Sequence, residues 1–198
     1  GTFSSVGEDL FIEVSHGPTL VDHNIMLSDR ALKIAAQGVA VVHNLLYGSL
    51  VAIGIGTDNG APDLPSQRYT PYHTKHGTQV AGFMTILHGD TKFYNNIFVQ
   101  KPVRPCMKAL SDLMGNDGNK WDDCNVLCGT SPYNGYPTFE EWEKQFEGYC
   151  GMGSDAGNRY YNHLPVWASG NLYFNGAKAW DKESNAYEDH THSIELSL

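Results

Sequence analysis

A parallel β-helix, an all-β solenoid, is the fold this 198-residue sequence predicts. Three observations predict it. First, Asn24-Ile25-Met26-Leu27, Asn44-Leu45-Leu46-Tyr47, Asn96-Ile97-Phe98-Val99 and Asn171-Leu172-Tyr173-Phe174 repeat one pattern: Asn, an aliphatic residue, then two bulky apolar residues. Second, the first two copies lie 20 residues apart, about one coil of such a helix, and a fixed period near 20 marks a solenoid. Third, the 21 glycines suit a turn-rich β protein. In this reading the repeated Asn residues stack at a turn and hydrogen-bond neighbouring coils. The apolar residue after each Asn is expected to fill the coil interior.

The chain opens on the strand Glu8-Asp9-Leu10-Phe11-Ile12-Glu13-Val14, followed by Ser15-His16 and a turn at Gly17-Pro18. Glu13 stands among apolar residues, where an unpaired carboxylate is expensive to desolvate. Phe11, Ile12 and Val14 are expected to raise its pKa, as a general acid requires. His16 lies at the mouth of the same turn. Extending the 20-residue period places Lys33 or Ile34 on the next coil beside Glu13. A lysine there would stabilise the ionised acid.

Residues 1–100 are read as coils, with a loop excursion over 54–78. Gly54 and Gly56 in that loop lack the helix and downstream acid of a dinucleotide fingerprint. The loop carries Arg68, Tyr72, His73 and His76, and Gln79 to Leu87 returns to strand character. Two histidines three residues apart suit a metal, but no third ligand is evident, so contacts to sugar or to another subunit are favoured. Residues 101–164 read as an irregular insertion with short helices at Pro105–Met114 and Thr138–Gln145. The second begins with a capping box formed by Thr138 and Glu141. Residues 165–180 form a last coil. Residues 181–198 leave the stack toward a further domain, and both ends of the sequence read as cuts in a larger polypeptide.

The net charge of −9 argues against nucleic acid or an anionic membrane as partner. No apolar run approaches the ~20 residues of a membrane span. Cys106, Cys124, Cys128 and Cys150 lack zinc-ligand spacing; two disulfides or four buried thiols both remain open. No metal or cofactor is predicted. The compartment stays open, with the cytoplasm slightly favoured.

The string Leu10-Phe11-Ile12-Glu13-Val14-Ser15-His16-Gly17-Pro18-Thr19-Leu20-Val21-Asp22-His23-Asn24-Ile25 resembles the family 120 glycoside hydrolases, the β-helix β-xylosidases. The resemblance continues through Gly38 to Gly48, Arg68-Tyr69-Thr70-Pro71-Tyr72-His73 with His76, Gly89 to Phe98, and Ser169 to Gly176. It implies a right-handed parallel β-helix and removal of xylose from short β-1,4-xylo-oligosaccharides with retention. It implies Glu13 as general acid/base; His16, at the same turn, is expected to hydrogen-bond a sugar hydroxyl or an active-site carboxylate, and Arg68, Tyr72, His73 and His76 are expected to contact sugar or another subunit. The family's nucleophile is an aspartate in a Trp-rich motif about one coil upstream. Glu8, Asp9 and Asp22 are the nearby acids here, and none sits in that context. The expected partners are the xylo-oligosaccharide, the remainder of the same polypeptide and a second copy of the chain. The alternatives are a β-helix polysaccharide lyase, using Lys33, Lys75 or Arg68, and a non-catalytic carbohydrate-binding solenoid.

Overall fold

A computed structural model describes residues 8–52, 68–106, 108, 126–159 and 162–196. The fold is all-β, built mostly of parallel sheets and solenoid-like. Sheet A holds β1 (Glu8–Glu13), β4 (Arg30–Ala35) and β7 (Ser49–Ala52) in that order. Sheet B holds β2 (Thr19–Asp22), β5 (Gln37–Val42), β10 (Gly89–Tyr94) and β12 (Val166–Ser169). Sheet C stacks β3 (Ile25–Met26), β6 (Leu45–Leu46), β11 (Ile97–Val99), β13 (Leu172–Phe174) and β14 (Tyr187–Glu188). Every pairing inside these three sheets is parallel.

Up to β11 the chain visits A, B and C in turn, and among the described residues it then returns to B and C through β12 and β13 and to C alone through β14, each strand laid on that of the circuit before. The core is therefore a set of columns along the stack. Leu10, Leu32 and Leu50 align in sheet A. Val21, Val41, Phe93 and Ala168 align in sheet B. Met26, Leu46, Phe98 and Tyr173 align in sheet C, and the Phe98 and Tyr173 rings stack at 5.1 Å.

The repeated asparagines form a continuous ladder. Asn24 Nδ2 donates to Asn44 Oδ1 (3.0 Å), Asn44 Nδ2 to Asn96 Oδ1 (3.1 Å) and Asn96 Nδ2 to Asn171 Oδ1 (2.9 Å). Each Oδ1 also accepts the backbone N–H of the preceding Asn. The ladder ends on Glu183, whose Oε1 accepts from Asn171 Nδ2 at 2.7 Å. Glu183 Oε2 accepts from the Tyr173 and Thr130 hydroxyls. Burial first, and the Glu183 charge second, push the Tyr173 phenol well above its ordinary pKa.

The residue after each Asn does not fill the interior. Ile25 and Ile97 are exposed, whereas Met26, Leu46, Phe98 and Tyr173 are buried. Asn44, Asn96 and Asn171 themselves point inward. Strand alternation then turns the next residue outward and the second one inward. We expect Asn96→Ala to destabilise the fold by about 3 kcal/mol or more, because it strips the buried Asn44 N–H of its acceptor. Asn24→Ala, at the exposed end of the ladder, should cost about 1 kcal/mol. Urea-unfolding midpoints check this, and equal losses would contradict it.

Two segments carry more structure than the sequence suggests. The excursion read as loop over 54–78 contains β8 (Arg68–His73), which pairs antiparallel with β9 (Val80–Ile86) as a hairpin. The start of that excursion lies outside the described residues. After residue 180 the chain still follows the stack: β14 pairs with β13.

The one described α-helix with defined bounds is α1 (Phe139–Lys144). Its capping box is the predicted one, with Glu141 N–H donating to Thr138 Oγ1 and Thr138 N–H donating to the Glu141 carboxylate. The hydrogen bond from Lys182, with that from the Thr138 N–H, holds the Glu141 carboxyl below its ordinary range. Of the other predicted helix, Pro105, Cys106 and Lys108 are helical and the remainder lies outside the described residues. No described helix is long and apolar enough to cross a membrane.

Candidate functional site

Glu13 closes β1, an edge strand of sheet A. Leu10 and Ile12 pack inward against the core, so Phe11 and Glu13 face outward, and both are exposed. Ile12 is on the opposite face and contributes nothing to the surroundings of the Glu13 carboxylate. The residue beside Glu13 on the next coil is Ala35, not Lys33 or Ile34. The circuit from β1 to β4 is 22 residues, against 20 between β2 and β5. Extrapolating from the Asn spacing therefore slips by two positions, which keeps the face but changes the neighbour. Lys33 pairs with Phe11 instead, and its Nζ lies 4.8 Å from the Phe11 ring centroid. Lys33 is only 4% exposed.

The other nearby acids are committed elsewhere. Glu8 pairs with Arg30 at 3.1 Å. Asp9 accepts from the Ser28 N–H (2.7 Å) and Ser28 Oγ (2.8 Å), and it lies four residues, about 13 Å, along the strand from Glu13. Asp22 sits at the far end of β2, 2.6 Å from His23 Nδ1. None is placed to act together with Glu13.

Val14, directly after Glu13, has φ 44°. That conformation is unusual for a β-branched residue and costs of order 1–3 kcal/mol. The turn is fixed from the next coil: Gln37 N–H donates to Ser15 O, and Val14 N–H to Ala35 O. Gly17 lies so close to Gly38 that a Cβ would meet the Gly38 carbonyl oxygen at 2.4 Å. His16 is half-buried within this turn. Its Nδ1 is buried without a hydrogen-bond partner among the described residues.

The β8–β9 hairpin rises from the same corner, one coil beyond. Gln37 Oε1 accepts from the Leu87 N–H at 2.7 Å, and Gln37 Nε2 meets Met84 Sδ at 3.8 Å. Arg68 pairs with Ile86 at the root, while His73 pairs with Val80 near the tip, five residues or roughly 17 Å away. Tyr72 crosses over Gly82. His73 Nδ1 is 3.0 Å from the Thr78 carbonyl, and His76 occupies the tip turn at φ 57°. The hairpin root thus belongs with the Glu13 turn, and His73 and His76 stand at the distal end of the ribbon.

Beneath this corner lies a buried group that sequence reading passes over. His88 Nε2 is 2.9 Å from Ile34 O, and Nδ1 is 2.6 Å from the Tyr136 hydroxyl. A carbonyl can only accept, so Nε2 carries the hydrogen and Nδ1 accepts from Tyr136. Burial, with the nearby His163 second, pushes the His88 pKa down to about 3. Its signal in the sequence is faint: a His before Gly89 at a strand start. Cys106, Cys128 and Cys150 are free thiols; Cys124 lies outside the described residues. Burial pushes the Cys128 thiol up to about 12. Cys128 should therefore resist a thiol reagent in the native protein, while exposed Cys106 and Cys150 react.

The fold and site define an all-β, mostly parallel solenoid-like chain with an outward acid on an edge strand. No family model and no curated protein matches the sequence. The chain is similar to a solved structure described as "The complex structure of XylC with xylose", at 33% identity and a TM-score of 0.64. The match covers 91% of this chain and 23% of that one.

Proposed function

We propose that this chain carries the acid/base half of a retaining, exo-acting β-xylosidase on a right-handed parallel β-helix. The substrate is a short β-1,4-xylo-oligosaccharide. The observation that carries the reading is Glu13, exposed at the end of an edge strand whose neighbour is a small residue, Ala35. The similarity to XylC, described with xylose, supports the substrate class.

A retaining glycosidase needs two carboxyls about 5 Å apart. Parallel strands stack about 4.8 Å apart. A carboxylate at the equivalent outward position on a coil stacked against the free edge of β1 meets that requirement. In this reading an aspartate there attacks the anomeric carbon, and Glu13 gives its proton to the departing glycosidic oxygen. Glu13 then takes a proton from water, which displaces the aspartate and releases xylose. His16, at the mouth of the turn after Glu13, hydrogen-bonds a sugar hydroxyl. Arg68 and Tyr72, with His73 and His76 at the tip, supply further contacts to sugar or to a second subunit.

The test is the anomer formed first. The full-length polypeptide carrying this chain, given an aryl β-xyloside, whose leaving group is not a sugar, and followed by proton NMR, should release β-xylose before mutarotation. Initial α-xylose would overturn retention, and an unsaturated product would favour a lyase.

A further inference from the structure

We propose that Asp22, His23 and His43 form a site for a divalent transition metal of the zinc, cobalt or nickel class. It lies at the corner between sheets B and C, whereas Glu13 closes a strand of sheet A. Asp22 ends β2, and its partner in the parallel register is Val42 of β5. The next residues, His23 and His43, are therefore stacked on successive coils. Both take the same left-handed backbone, φ 55° and 54°, and their ring centroids lie 5.0 Å apart.

Asp22 Oδ1 is 2.6 Å from His23 Nδ1 and 3.7 Å from His43 Nδ1. One atom from each of the three residues falls within 4.8 Å of the other two. A tetrahedral ion with bonds of 2.0–2.1 Å holds its ligand atoms roughly 3.3 Å apart, so small rotations close the set. A simple ion pair accounts for His23. It does not account for a second imidazole bringing its Nδ1 to the same oxygen from the next coil.

Asn95 stands at the following position of the column, also at φ 55°. Its Nδ2 lies 3.4 Å from His43 Nε2, and a flip of the amide would bring Oδ1 there instead. With the amide oxygen turned to the ring it accepts the Nε2 hydrogen and leaves Nδ1 free to bind metal, the usual second-sphere arrangement. Two imidazoles and one carboxylate suit zinc, cobalt or nickel rather than calcium. The three side chains are exposed, so the remaining coordination positions open to water or an exogenous ligand.

The test is titration of the full-length polypeptide with zinc against a chromophoric chelator, and with cobalt by its visible absorption. We expect one ion bound through this site. Asn95 shows that asparagine accepts this backbone conformation, so His23→Asn and His43→Asn keep the fold, with circular dichroism as the check. Each should weaken zinc binding at least about tenfold and remove the cobalt spectrum of that ion. His73→Ala with His76→Ala, and His190→Ala with His192→Ala, should leave that ion in place. Failure to bind zinc, binding unchanged in both asparagine variants, or loss only in the other histidine variants would overturn the proposal.

Discussion

Glu13→Gln should lower turnover of xylobiose by about 10²–10⁴-fold, the range expected when a general acid is removed. The side chain keeps its size and its exposed position at the end of β1, so stability should hold. The loss should depend on the leaving group. A sugar hydroxyl leaves poorly without a proton, whereas a dinitrophenolate needs none. With an activated aryl xyloside the first step should survive, and the covalent intermediate should accumulate because no base activates water. Azide, which needs no base, should then restore turnover and yield β-xylosyl azide. Near-normal rates on xylobiose would remove Glu13 from the chemistry. An equal loss on both substrates, without azide rescue, would make it a structural residue.

The repeat was legible in the sequence because a buried Asn has few substitutes: it must donate and accept along the stack axis in every coil. What lay between the repeats was less legible. The circuit through sheet A is two residues longer than the Asn spacing implies, so Ala35 rather than Lys33 or Ile34 lies beside Glu13. The hairpin was obscured by Pro71 and by turn residues around it, although the exposed edges of a two-stranded ribbon tolerate proline. Glu183 was invisible as the ladder's end because it follows Asn171 by 12 residues rather than by a full coil and is an acid where the repeat has Asn. The same holds for His88, whose partners Ile34 and Tyr136 are 54 and 48 residues away. A side chain joined across the stack leaves a trace in the sequence only where the same contact recurs in every coil, as for Asn, and Glu183 and His88 each make theirs once.

Acidification should unfold the protein through His88 before the carboxylates contribute. Its folded pKa of about 3 lies below the ordinary 6.5. The unfolded chain therefore binds the extra proton between those values, and the folded one does not. The stabilisation is complete above pH 6.5 and declines as pH falls toward 3, by about 1.4 kcal/mol per pH unit. Burial shifts His163 in the same direction and adds to the slope. Between pH 6.5 and 4.5 the expected loss from His88 alone is about 2 kcal/mol. Glu141 and Glu188, whose pKa values are lowered, and Asp189, held far down chiefly by the Thr191 and His192 N–H groups, add their losses mainly below that window. His88→Asn removes the titration, and asparagine tolerates the φ of 61° at this position. The variant loses the Ile34 contact and should be less stable at pH 7.5, but its urea midpoint should fall less steeply toward pH 4.5. Parallel slopes for the two proteins would mean that the buried imidazole accepts a proton without leaving its place between Ile34 and Tyr136.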